Sequence, residues 1–94
     1  MIQSFKDARA EKLIKGERVI ELVNIEEQAR RLLIRLDSAT SLQDIRALRG
    51  NRLGALVGDR TGQFSIRIND HYRICFEWEA NAKGPSDVEI TGYH

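Results

Sequence analysis

The sequence predicts an α+β fold in which N-terminal helices pack on one face of a small, twisted, mainly antiparallel sheet. Three observations carry this expectation. Apolar residues recur at helical spacing in the first half of the chain, their period changes to two from about residue 63, and turn residues separate the alternating runs. Ninety-four residues, 41% hydrophobic and 31% charged, are expected to form a single domain spanning 1–94 with a thin core.

Taken in order, Ile2 to Phe5 is compatible with a short strand. Asp7 is placed to cap a short helix that stops at Gly16, where a left-handed residue is expected. Glu17 to Val23 is ambiguous, with another helical turn as one reading. Asn24 followed three residues later by Glu27 has the form of a capping box. Beyond it, Ile25, Ala29, Leu32, Leu33 and Leu36 fall on one helical stripe, leaving Glu26, Glu27, Arg30, Arg31 and Arg35 outside it. Ser41 to Leu48 reads as a further short helix capped by Ser41.

Phe64, Ile66 and Ile68 then alternate with Gln63, Ser65, Arg67 and Asn69, and Tyr72, Ile74, Phe76 and Trp78 alternate with Arg73, Cys75 and Glu77. A three-residue loop, Asn69-Asp70-His71, pairs Ile68 with Tyr72 and Arg67 with Arg73, keeping every apolar side chain on the core face. A two-residue loop would mix the faces and is rejected. After the turn at Gly84-Pro85, Asp87 to Tyr93 forms the last strand, with Val88 and Ile90 inward and Tyr93 on the polar parity. The outer face of the sheet is thus expected to present Arg67, Arg73 and Tyr93 to solvent.

The bulk properties exclude several classes. No apolar run approaches the ~20 residues of a membrane span, and MIQSFKDARAEKL lacks the apolar block of a secretory signal. A single cysteine, Cys75, cannot form an internal disulfide, so a reducing cytoplasm suits the chain. No P-loop, dinucleotide glycine pattern or metal-ligand cluster is present, and no cofactor or metal is expected.

Net charge is only +1, but its distribution is uneven. Arg46, Arg49, Arg52, Arg60, Arg67 and Arg73 face only Asp59 and Asp70 in the segment 46–73, giving it +4 and leaving −3 for the rest. All six bases are arginine, which suits bidentate contacts with phosphate. The plainer reading is a solvated charged face in a chain with eleven Arg and four Lys. Two arginines directly paired across a sheet repel, and an anion such as a nucleic-acid backbone would relieve that repulsion.

The chemistry available is a constellation of Arg52, Arg60, Arg67, Arg73, Tyr93 and His94. RNA can be cleaved by its own 2′-hydroxyl. The protein then supplies a base, an acid for the leaving oxygen and cations for the pentavalent phosphorane. Arginine forks suit the last task, His94 the proton transfers, and Tyr93 stacking or hydrogen bonding. His71 at the hairpin tip is a weaker candidate. Cys75 is most simply a small strand residue.

GNRLGALVGDRTGQFSIRINDHYRICFEW, followed by VEITGYH, closely resembles the HigB-type toxins of the RelE superfamily, also termed plasmid-maintenance killer proteins. The blocks GDRxGQ-SIRIND and YRICFxW are long and specific, and with IQSFKD the resemblance covers essentially the whole chain. It implies a RelE-like α+β toxin of a type II toxin–antitoxin system, a metal-independent, ribosome-dependent endoribonuclease cleaving messenger RNA during translation. It also implies a HigA-like helix-turn-helix antitoxin, with operator DNA bound only through that partner. By resemblance Arg73 contacts the scissile phosphate, Arg67 is a basic position on the same surface, and Tyr93-His94 close the family's terminal Asp-Tyr-His. Gly92 stands in place of that Asp, and Gly54 and Val57 stand where some members carry a His and a Lys used in catalysis. Slow cleavage is expected in consequence, and an RNA- or ribosome-binding role as antitoxin partner is the alternative.

Overall fold

A computed structural model of the chain describes residues 1–46, 54–55 and 63–92. Helices α1 (Ala8–Ile14), α2 (Glu26–Ser38) and α3 (Leu42–Arg46) precede strands β1 (Gly54–Ala55), β2 (Gln63–Arg67), β3 (Tyr72–Glu77) and β4 (Ser86–Gly92), and a 3₁₀ helix (Ile20–Ile25) leads into α2. The strands form one antiparallel sheet in the order β1-β2-β3-β4. Among the described residues, no helix is long and apolar enough to cross a membrane.

The helical half follows from local chemistry. Asp7 caps α1 by accepting a hydrogen bond from the Arg9 backbone N–H at 2.9 Å, and Gly16 takes φ +87° just beyond the helix. From α2, Arg30 donates from Nε to Leu13 O, near the end of α1, at 2.7 Å, and from Nη2 to Glu17 O, beyond that helix, at 3.0 Å. α3 starts at a reciprocal cap, the Asp44 carboxylate accepting from Thr40 N at 2.9 Å while Ser41 Oγ accepts from Asp44 N at 3.4 Å. The residues 47 and 48 expected at its end lie outside the described residues.

The expected Asn24–Glu27 capping box does not form. Asn24 lies inside the 3₁₀ helix, Ile25 occupies the N-cap of α2, and no side chain caps it. The 3₁₀ helix instead runs directly into α2, and the Glu26 N–H donates to Val23 O.

The core joins both halves. Leu13 from α1, Ala29, Leu33 and Leu36 from α2, and Ile45 from α3 meet Ile66, Ile74, Phe76, Val88 and Ile90 from the inner face of the sheet. Phe64 stacks on Phe76 with ring centroids 6.0 Å apart. The helices therefore cover one face of the sheet and leave the alternate set of strand residues on the other.

Three details were not legible beforehand. β1 is a two-residue strand pairing Gly54 with Ser65 and Ala55 with Phe64. The segment expected as a strand at Ile2 to Phe5 runs parallel to β4, with a bridge between Phe5 and Val88 and hydrogen bonds Val88 N to Ser4 O (3.1 Å) and Lys6 N to Val88 O (3.0 Å). β4 also carries an extra residue, since Cys75 pairs with Glu89 but Glu77 pairs with Ser86. Asp87 lies within this bulge at φ 51°, a conformation Asp tolerates better than most residues.

Candidate nucleic-acid interface

The β2–β3 hairpin sets the geometry of the outer face. Its loop is Asn69-Asp70-His71, and Arg67 is directly paired with Arg73. Asn69 shapes the turn, its Oδ1 accepting from His71 N at 2.7 Å and Tyr72 N at 2.9 Å, while Tyr72 O accepts from Ile68 N at 2.9 Å. Directly paired residues project to the same side of a sheet, so the two guanidinium stems leave together on the face away from the helices.

Each arginine is held. Arg67 donates from Nε to Asn69 O at 3.1 Å and forms an ion pair through Nη2 with Asp70. That pair is at the surface, with the two side chains 37% and 79% exposed. Arg73 donates from Nε to Thr91 Oγ1 at 3.3 Å, and Thr91 is its register partner on β4. The site is therefore an arginine pair flanked by a carboxylate on one side and a hydroxyl on the other.

Successive rows of the same face change character. The next row runs Gly54, Ser65, Cys75 and Glu89 across the four strands. Cys75 is buried there at 1% exposure, its Sγ 3.6 Å from Thr91 Oγ1, and Glu89 pairs with Lys6 at 3.5 Å. Beyond it Gln63 Nε2 donates to Glu77 Oε1 at 3.4 Å. The expectation that this face presents Arg67 and Arg73 to solvent is met only in part. Arg67 and Arg73 are half-buried, and the middle of the face is closed over a small side chain on a central strand. Among the described residues of this face, the arginines lie at the hairpin-tip end and the carboxylates Glu77 and Glu89 lie farther along the strands.

Of the residues singled out in the sequence, Arg67 and Arg73 are brought together. Arg52, Arg60, Tyr93 and His94 lie outside the described residues, as does Val57. His71 is exposed in the loop and serves the turn through its backbone. Gly54 and Gly92 differ in placement: Gly54 is in register with Ser65 on the arginine side, whereas Gly92 pairs with Tyr72 on the parity of the core residues. Asp70 and Thr91 were missed as partners. Asp70 was within reach of inference, because a residue three positions along a tight hairpin returns beside Arg67.

The layered α+β fold agrees with that of a RelE-like toxin, and comparison with known families assigns the chain to that class, the toxins of type II toxin–antitoxin systems. The family model described as the RelE-like toxin of type II toxin–antitoxin system HigB matches residues 3–87. Over 80 residues the chain is 36% identical to Toxin HigB-1 of Vibrio cholerae serotype O1 (strain ATCC 39315 / El Tor Inaba N16961), covering 83% of this chain and 84% of that protein. The chain belongs to the HigB-like toxin family. Membership brings an antitoxin partner, and toxins of this kind are generally ribonucleases.

Proposed function

We propose that this toxin is a ribosome-dependent endoribonuclease that cuts messenger RNA during translation, acting in the cytoplasm without a metal ion. The observation that supports this most directly is the register placing Arg67 beside Arg73 on the face away from the helices. Arg73 contacts the scissile phosphate, and its guanidinium stabilises the charge of the phosphorane formed when the 2′-hydroxyl attacks. Arg67 holds the neighbouring backbone, with Arg52 and Arg60 continuing the RNA path. His94 moves protons at the attacking and leaving oxygens, and Tyr93 stacks on a base or donates a hydrogen bond. The partner is a HigA-like helix-turn-helix antitoxin, through which alone operator DNA is bound.

Induced expression of the toxin should arrest growth and leave messages cut within codons, with discrete 5′-hydroxyl fragments. Arg73→Ala should relieve the arrest while remaining folded, because losing a half-buried side chain and its bond to Thr91 costs about 1–2 kcal/mol, a fraction of a domain's stability. Equal harmlessness of the wild-type and variant toxins would refute the enzyme reading.

One observation favours a second reading, of a toxin that occupies RNA or the ribosome with little cleavage. Gly54 lies in the row next to Arg67 and Arg73, where a family histidine would face the same surface, and glycine offers no proton-transfer group. Tight, salt-sensitive ribosome binding without cut products would select this reading.

A further inference from the structure

Asp70 sits in the loop between the two arginines, and its carboxylate is already paired with Nη2 of one of them, Arg67. We propose that Asp70 is a built-in competitor at the arginine pair: it occupies the Arg67 guanidinium in the free toxin and yields that place to an RNA phosphodiester. This rests on the RNA-directed reading above.

Four features support the exchange. The turn does not depend on the Asp70 side chain, since its hydrogen bonds run through Asn69 Oδ1 and Tyr72 O. Arg67 is steadied at a second point by the bond from Nε to Asn69 O at 3.1 Å, so the stem keeps its direction when the carboxylate leaves. Asp70 is 79% exposed, and exposed ion pairs are weak enough for another anion to replace. Phosphate oxygens engage a guanidinium in the same planar manner as carboxylate oxygens. Until RNA arrives, the carboxylate also offsets the repulsion between the directly paired Arg67 and Arg73. A salt bridge serving only the hairpin would affect folding and leave RNA binding alone.

The test is fluorescence anisotropy of an unstructured, fully 2′-O-methylated RNA oligonucleotide, which cannot be cut by its own hydroxyl, titrated with the full-length toxin over a range of salt. Asp70→Asn, nearly isosteric, should bind about two- to five-fold more tightly than wild type at low salt, because the competitor for Arg67 is gone. In an Arg67→Ala background the same change should have almost no effect. Unchanged or weaker binding by Asp70→Asn overturns the proposal, as does an equal gain in the Arg67→Ala background, which would mark a general charge effect. RNA binding that depends on Arg73 and ignores Asp70 overturns this inference alone. Absence of RNA binding in wild type, together with growth arrest that Arg73→Ala does not relieve, overturns the RNA reading as well.

Discussion

Asp7 shows how one carboxylate can serve two levels of structure. Its Oδ1 caps α1, and both oxygens accept from Arg9 Nε at 3.1 and 3.2 Å. Asp7 Oδ2 also accepts from Ile90 N at 3.2 Å, while Arg9 Nη2 donates to Ile90 O at 2.9 Å. The pair thus takes the place of a neighbouring strand along the outer edge of β4, which would otherwise offer unpaired backbone groups. Burial pushes the Asp7 carboxyl up. The hydrogen bonds from the Arg9 guanidinium and from the backbone N–H groups of Arg9 and Ile90, with the Arg9 charge, outweigh it and hold the group below the ordinary 3.8. The sign follows from linkage: a carboxyl depressed in the folded state contributes stability above its unfolded value, lost as pH falls through the lower folded value. Urea unfolding at a series of pH values should show Asp7→Asn less stable by about 1–2 kcal/mol near neutrality. The gap to wild type should close below pH 3.8. A constant gap through that acid range would disprove this role.

At the scale of elements, the N-terminal segment behaves as part of the sheet. It is tied by Gln3 N to Pro85 O at 2.7 Å and by Ile2 N to the Asp37 carboxylate at 2.8 Å, so it bridges β4 to the end of α2. Gly84 makes the close approach possible, because a Cβ there would overlap the backbone carbonyl of Met1. Gly84→Ala should therefore destabilise the protein by about 1–3 kcal/mol, the usual cost of overpacking, and lower its midpoint in urea. Early exchange of the Val88 amide, bonded to Ser4 O, would accompany that loss. Helix α2 and the hairpin were legible because their apolar periods are clear over many residues. β1 was not, since two residues of Gly and Ala carry no period and become a strand only through their partners on β2.

At the scale of the molecule, the proposed function puts stability on one face of the sheet and chemistry on the other. Phe76 is among the largest fully buried side chains, and Phe76→Ala should cost about 3–5 kcal/mol and reduce toxicity by depleting folded toxin. Arg73→Ala should remove toxicity with the fold intact. Comparing unfolding midpoints with growth arrest for the two variants separates the routes. Equal destabilisation by both would show that the arginine face is structural.

The helices-then-sheet layout, the three-residue loop and the pairing of Arg67 with Arg73 were determined by the sequence itself, because a strand's period of two ties parity to face and a short loop fixes register. The tertiary structure decided what those side chains meet. Arg73 reaches Thr91 eighteen residues away, Asp7 reaches Ile90 eighty-three residues away, and Cys75 is closed off on a face that parity alone would leave open. Such contacts depend on which strand lies alongside and where its bulge falls, and no local pattern encodes either.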